Sequence, residues 1–207
     1  MRLLALLGLV VVGALGVIAG CAGSDDETAG TVDTTTTTAG TATETTVTGT
    51  TTDGIDPLEG ASTNPVEADA VVSETALLER VAVGRHEGFD RVVFQFRNGV
   101  PGYRVGYIQP PIREDGSGNR VDVEGDAYAE VRMELASGFD VATGEGELVY
   151  TGPRRLTGSG TSVIREVVRT GDFEAVLTWV VGISDRVDFR VTVLDNPARI
   201  VVDFRNH

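Results

Sequence analysis

The sequence predicts an all-β domain, an antiparallel two-sheet β-sandwich, preceded by a signal peptide and a disordered linker. Apolar and polar residues alternate from Ala76 onward, turn residues interrupt these rows at short intervals, and the preceding stretch holds hardly any large apolar side chain. Period-two alternation is typical of half-buried strands, and closely spaced turns are typical of sandwiches and barrels. The predicted boundaries divide the chain into residues 1–20, 21–75 and 76–207.

The N-terminal segment has the pattern of an export signal. An apolar run from Leu3 to Gly20 follows Arg2 and ends immediately before Cys21, the only cysteine of the chain. A charged start and an apolar body are typical of a secretory signal. The run ends in Ile18-Ala19-Gly20-Cys21, which resembles the lipobox of bacterial lipoproteins and implies cleavage before the cysteine and its acylation.

Two or more acyl chains hold a protein stably to a membrane. We therefore expect Cys21 to anchor the mature protein to the outer face of the cell membrane, where it is exposed to the cell wall. The alternative is that residues 3–20 stay uncleaved as a membrane-spanning helix, since such a run lies near the lower length limit for crossing a bilayer.

Residues 21–75 are predicted to form a disordered, threonine-rich tether. The stretch contains no arginine and no aromatic residue, and eleven acidic residues from Asp25 to Glu74 face no basic residue. So little apolar surface cannot offset the loss of chain entropy on folding. The tether is therefore expected to act as a spacer, and O-glycosylation of its threonines stays open.

The strands of the folded region are predicted from rows of apolar residues that share one face. The rows are Val92, Phe94, Phe96; Ala127, Ala129, Val131, Met133, Leu135; Phe173, Ala175, Leu177, Trp179, Val181; Val187, Phe189, Val191, Val193; and Ile200, Val202, Phe204. Further strands are expected near residues 78–83, 103–109, 120–124, 148–150 and 162–168, with turns that include residues 170–172. Two antiparallel sheets packed face to face are the economical arrangement for some nine or ten short strands.

Composition argues against several classes of function. The chain has a formal net charge of −14, and all of its basic residues apart from His86 and His207 are arginines. From Glu79 onward, twenty acidic residues outnumber sixteen arginines, which disfavours a nucleic-acid partner. Residues 76–207 contain no cysteine, so neither a disulfide nor a thiolate metal site is available there. We expect no metal and no cofactor.

Three blocks of the folded region resemble the AMIN-like domain of actinobacterial lipoproteins. They are Gly88–Phe94; Gly171–Glu174 with Trp179–Gly182; and Phe189–Val191 with Leu194, Pro197 and Arg199–Asp203. The closing Pro-x-Arg-Ile-Val-Val-Asp is similar to the end of the AMIN domain proper, a β-sandwich that targets N-acetylmuramoyl-L-alanine amidases and secretin pilots to peptidoglycan. The resemblance implies a non-catalytic module that binds the cell wall or localises to it.

Binding of peptidoglycan or another wall glycan calls for aromatic faces against sugar rings and for arginines that capture carboxylates. The candidates are Tyr103, Arg104, Tyr107, Tyr150, Arg154 and Arg155. The alternative is that these tyrosines pack at the sheet margin and that the arginines are solvated or paired. Trp179 lies in an apolar row and is expected in the core. Docking to an envelope protein stays open and predicts an exposed apolar patch.

An enzyme is not expected. A carboxylate couple of the glycosidase kind would have to come from Glu166, Asp172 and Glu174, although exposed strand carboxylates that face arginines are the common case. Residues 115–119 have the alternate spacing of a calcium loop, but a polar hairpin turn explains them without a metal. His86 is expected in a solvated loop.

Overall fold

The computed structural model describes residues 56–142 and 144–206. The predicted signal peptide, Cys21 and the tether up to residue 55 lie outside the described residues. The strands are β1 (Val66–Ala68), β2 (Ala76–His86), β3 (Phe89–Arg97), β4 (Gly102–Ile108), β5 (Ala127–Glu134), β6 (Ala136–Ser137), β7 (Phe139–Asp140), β8 (Glu147–Leu148), β9 (Arg155–Thr157), β10 (Ile164–Phe173), β11 (Val176–Ile183), β12 (Phe189–Asp195) and β13 (Ala198–Arg205). In the part of the chain described, no helix is long and apolar enough to cross a membrane.

Two sheets form the sandwich, and the predicted all-β class is confirmed. The six-stranded sheet has the order β1-β4-β5-β11-β10-β9, and the five-stranded sheet has the order β12-β13-β3-β2-β6. A small third sheet pairs β7 with β8. The pairings are antiparallel except for the short parallel contact between β2 and β6.

One apolar core lies between the two sheets. Phe94 and Phe204 come from the five-stranded sheet, Met133 and Trp179 come from the six-stranded sheet, and each is fully buried. The rings of Phe94 and Trp179 meet edge to face at 5.9 Å. Burying a side chain of this size contributes about 1.5–3 kcal/mol, so these predicted rows account for much of the driving force for folding.

The hairpin between β10 and β11 turns later than predicted. Residues 170–172 lie inside β10, where the register shifts between Arg169 and Gly171. The turn is formed instead by Glu174 and Ala175, whose φ angles are 50° and 57°; two consecutive positive φ angles are typical of tight hairpin turns. Phe173 therefore leaves the predicted core row and is 61% exposed.

The strand predicted at residues 120–124 is wrong. Residues 109–126 form a loop whose only β-type pairing is an isolated bridge between Arg113 and Arg120. Ile112 of this loop is buried, as are Val168 and Val180 on the outer side of the six-stranded sheet. The loop thus covers part of that outer face, as long loops commonly do when they enclose a small apolar cluster of their own.

The predicted tether ends too late, because residues 56–75 contribute to the sandwich. Leu58 is fully buried, β1 pairs with residues 103–105 of β4, and Ser62 exchanges two backbone hydrogen bonds with Phe189 at 3.1 and 3.0 Å. The composition of residues 56–75 does not predict this strand, because β1 joins the sheet through its backbone and buries little side-chain surface of its own.

Candidate binding face

The outer side of the five-stranded sheet is rich in arginine. Successive side chains of a strand point to opposite faces, so the residues that alternate with the core rows of β2, β3, β12 and β13 share this outer side. We define the arginine face by six residues: Arg80, Arg91, Arg97, Arg190, Arg199 and Arg205. Arginine is suited to bidentate recognition of carboxylate and phosphate groups.

A buried carboxylate organises the centre of the arginine face. Asp203 is fully buried, and it accepts hydrogen bonds from Arg91 Nε at 2.6 Å and Arg91 Nη2 at 2.9 Å. Arg190 Nη2 lies 3.7 Å from Asp203 Oδ2, the oxygen that also accepts from Arg91 Nη2. The hydrogen bond to Asp203 raises the pKa of the Arg91 guanidinium above its ordinary value, against the opposing effect of burial. Such pairing offsets the cost of burying the charge.

The arginine face keeps an excess of positive charge. Besides Asp203, the carboxylates that pair with its arginines are Glu79, 3.1 Å from Arg97, and Asp56, 2.8 Å from Arg205. Three carboxylates therefore balance six guanidinium groups. Within the described residues, neither Arg80 nor Arg199 forms an ion pair with a carboxylate. Arg199 Nε donates to Pro197 O at 3.2 Å, which leaves its two terminal nitrogens and the Arg80 guanidinium available to an anionic ligand.

An aromatic pair borders the arginine face near the β2–β3 hairpin. The rings of His86 and Phe89 stack at 4.8 Å, and the Arg91 guanidinium lies 5.0 Å from the centre of the Phe89 ring. His86 is the last residue of β2 and does not lie in a loop, where it was expected. Cation–π contact of this kind holds a guanidinium in a fixed orientation, which preorganises Arg91 beside its neighbours.

The residues predicted to contact a glycan do not form one site. Tyr103, Arg104 and Tyr107 lie on β4, whereas Arg155 lies on β9. Three strands separate β4 from β9 in the sheet, which places the two groups about 19 Å apart at the usual spacing between strands.

Two of the three predicted tyrosines take part in packing and hydrogen bonding within the domain. Tyr150 is 3% exposed, and its ring meets that of Trp179 edge to face at 5.6 Å. The prediction that the Tyr150 ring contacts a sugar is therefore wrong. Tyr107 donates a hydrogen bond to Val187 O at 2.7 Å and accepts one from Val187 N at 3.0 Å. Burial raises the pKa of the Tyr107 hydroxyl.

The predicted arginines near β9 already have protein partners. Arg154 Nη2 lies 2.5 Å from Glu114, and its Nε donates to Arg169 O at 2.9 Å. Arg155 Nη1 donates to Glu166 at 2.7 Å. On β4, Tyr103 and Arg104 line a shallow hollow of about 550 Å³ whose other charged residues carry both signs.

The carboxylates considered for catalysis do not converge as a set of three. Glu166 and Asp172 lie on the same strand, β10, and six residues of strand span about 20 Å, well beyond the separations that glycosidases use. Asp172 accepts hydrogen bonds from Ser137 Oγ at 2.8 Å and Gly138 N at 3.0 Å. Asp115, from the calcium-like stretch, accepts from Thr178 Oγ1 at 2.6 Å. Within residues 56–142 and 144–206, no three His, Cys, Asp or Glu side chains lie close enough together to hold a metal ion.

A cleft of about 740 Å³ opens at the end of the sandwich where the β10–β11 hairpin turns. Phe139, Val141 and Phe173 line it and are 39%, 74% and 61% exposed. Sequence reasoning missed this cleft because it assigned Phe173 to the core.

The arginine face was also missed, although its signal was present in the sequence. Arg91, Gln95 and Arg97 alternate with the core row of β3, and Arg199 and Asp203 alternate with the core row of β13. The requirement for aromatic faces against sugar rings favoured the tyrosines instead. The charges of the arginine face come together only through the pairing of β13 with β3 and β12.

Comparison with known proteins gives one match. The family model of the AMIN-like domain matches residues 76–206. No curated protein and no solved structure matches the chain. The matched region contains both sheets except β1, and its closing block supplies Arg199 and Asp203 to the arginine face. Because the match covers more than half of the sequence, the chain belongs to the AMIN-like domain family.

Proposed function

We propose that this protein is a lipid-anchored, non-catalytic envelope module whose arginine face binds peptidoglycan. Membership of the AMIN-like family suggests a cell-wall-related binding module. The ligand groups that suit the face are the carboxylates of the peptide stems, since planar guanidinium groups capture carboxylates bidentately. Anchoring through Cys21 would keep the domain at the outer face of the membrane, next to the wall.

The observation that carries the proposal is the surplus of guanidinium groups on one exposed sheet face. Arg80 and Arg199 have no carboxylate partner among the described residues, while Arg91 is held in place by Asp203 and Phe89. A repeating polyanion would contact several such groups at once, and linked weak contacts add to a strong overall affinity.

Co-sedimentation of the full chain with insoluble peptidoglycan tests the proposal. We expect Arg80→Gln with Arg199→Gln to weaken binding about thirtyfold, because each charge-assisted contact contributes on the order of 1 kcal/mol and every 1.4 kcal/mol is tenfold. Neither substitution leaves a carboxylate of the described fold unpaired, so folding should be retained.

Arg113→Gln with Arg165→Gln is the matched control. It removes the same charge, and neither arginine pairs with a carboxylate within residues 56–142 and 144–206. Equal weakening by both double variants would show that only net charge matters and would reject the arginine face as the site. Release of soluble muropeptides by the unmodified protein would contradict the non-catalytic part of the proposal.

A further inference from the structure

The edges of the two sheets differ in length. In the described part of the chain, β1 and β9 end the six-stranded sheet with three residues each, β6 ends the five-stranded sheet with two residues, and β12 ends it on the other side with seven. Very short edge strands are a common protection against pairing with another chain. β12 lacks this protection.

The free side of β12 presents unpaired backbone groups. Ser62 uses both backbone groups of Phe189, and inward and outward pairs alternate along an antiparallel strand. The N–H and C=O groups of Val191 and Val193 therefore point away from β13. No strand within residues 56–142 and 144–206 pairs with them. β12 contains no proline and pairs with β13 without a register shift, so no bulge or ring blocks the edge.

The charges beside this edge favour an acidic partner. On the outer side of β12 lie Arg190, Thr192 and Leu194, and Leu194 pairs with Arg199 of β13. A strand added beside β12 would place every second side chain next to this row. Opposite charges across neighbouring strands stabilise the pair, and like charges destabilise it. Arg190 lies 3.7 Å from a carboxylate that Arg91 already holds, so a second carboxylate suits it.

We propose that the free edge of β12 is a docking site for an extended peptide segment that carries carboxylate side chains at alternate positions. The segment adds to the five-stranded sheet as an antiparallel strand, which is a recurrent mode of peptide recognition. Backbone hydrogen bonds to Val191 and Val193 hold it, and Arg190 and Arg199 select its acidic side chains. This site goes beyond the proposed binding of peptidoglycan, because it adds the backbone edge of β12 to two residues, Arg190 and Arg199, that it shares with the arginine face.

Residue-level hydrogen exchange on the full chain tests the site without any substitution. The probe is an acetylated, amidated (Thr-Glu)₄ peptide, and the control peptide is (Thr-Lys)₄. Saturation with (Thr-Glu)₄ should slow exchange of the Val191 and Val193 amides at least tenfold, whereas (Thr-Lys)₄ should leave them unchanged. The amides of Arg190 and Thr192, which face β13, should be protected with or without the peptide.

Val193→Pro and Val193→Thr separate the edge from the arginine face. Proline is tolerated on an edge strand where its missing N–H faces solvent, so Val193→Pro should fold and should bind (Thr-Glu)₄ at least tenfold more weakly. Val193→Thr keeps the N–H and should bind within twofold of the unmodified protein. Thermal unfolding of both variants checks that they fold, and pelleting with peptidoglycan should be unchanged in both.

Two results would overturn the inference. If (Thr-Glu)₄ binds but exchange at Val191 and Val193 is unchanged, the peptide contacts the arginine face alone. If these amides become protected with rising protein concentration in the absence of peptide, and Val193→Pro abolishes this, a second copy of the chain covers the edge. Loss of peptidoglycan binding alone would reject the proposed function and leave this site intact.

Discussion

The carboxylate of Asp90 accepts a hydrogen bond from the backbone N–H of Val163 at 2.6 Å, and this bond joins the two sheets. The same oxygen accepts from Ser162 N at 2.7 Å and Ile164 N at 3.2 Å, while the other oxygen accepts from Asn206 Nδ2 at 2.9 Å. Asp90 is fully buried. Its hydrogen bonds replace the water that burial removes.

Substitution of Asp90 should therefore be costly although it leaves the volume of the side chain unchanged. In Asp90→Asn, an amide replaces the acceptor-only carboxylate, weakens the charge-assisted bonds and brings its own donors toward backbone N–H groups. We expect a loss of about 3 kcal/mol in the free energy of unfolding, measured by urea denaturation of the full chain.

Asp195→Asn is the control for this substitution. Asp195 is exposed, and surface substitutions away from special contacts stay within about 0.5 kcal/mol. A value for Asp90→Asn that equals the control would show that the link between the sheets contributes nothing to stability.

The Arg91–Asp203 pair should show strong coupling between its two members. Arg91→Gln leaves the fully buried Asp203 with only the longer contact to Arg190, and removal of one partner from a buried pair is strongly destabilising. We expect a loss of about 2–3 kcal/mol, since Arg91 itself is partly exposed. Asp203→Asn should cost a similar amount, and the double variant should cost clearly less than the sum.

A double-mutant cycle by urea denaturation measures this coupling. Strict additivity would mean that the two residues act independently despite their 2.6 Å contact. Arg97→Gln serves as a comparison, because the side chains of Arg97 and Glu79 are 51% and 35% exposed and exposed ion pairs contribute about 0–1 kcal/mol.

Periodicity alone placed the core rows of β3, β11 and β13, because side chains such as Phe94, Trp179 and Ile200 repeat at the period of a strand and share one buried face. It misplaced Phe173, since glycine at position 171 suggested a turn there, while the structure turns at two residues with positive φ and no glycine. β1 is only three residues long and Val66 is its one half-buried side chain, so the row is too short to show a period.

The candidate site was harder to predict than the fold. Tyr103 and Tyr150 look alike in the sequence, yet the packing of Tyr150 against Trp179 depends on contacts distant in sequence. The arginine face likewise depends on register: Arg91, Asp203 and Arg190 align only because β13 pairs with both β3 and β12. Sequence spacing does not determine this pairing.

Lipid anchoring predicts a direct effect of Cys21→Ser. Serine has no thiol to carry the diacylglycerol, so the protein should move from the membrane fraction to the soluble or secreted fraction of the producing bacteria. Ser24→Ala is the control and should leave the protein in the membrane fraction. Firm retention of Cys21→Ser in the membrane would favour an uncleaved membrane-spanning segment over residues 3–20.

Glu130 gives a pH-dependent prediction. It lies half-buried on the outer side of β5, where burial, followed by the charge of Asp115, raises its pKa above the ordinary 4.5, while Arg132 and Arg104 oppose the shift. A raised pKa means that the folded protein binds the proton more tightly than the unfolded chain. The contribution of Glu130 to stability therefore falls as the pH rises from its ordinary pKa to its raised one.

Glu130→Gln should abolish the loss of stability that ionisation of Glu130 causes as the pH rises. Glutamine stays neutral, so the variant should be more stable than the unmodified protein at pH 7, and the difference should shrink toward pH 4, where Glu130 becomes protonated in the folded state. Urea denaturation at a series of pH values measures the effect, and Glu145→Gln at an exposed position is the control. A constant difference across the series would show that Glu130 acts through packing or hydrogen bonding and not through its charge.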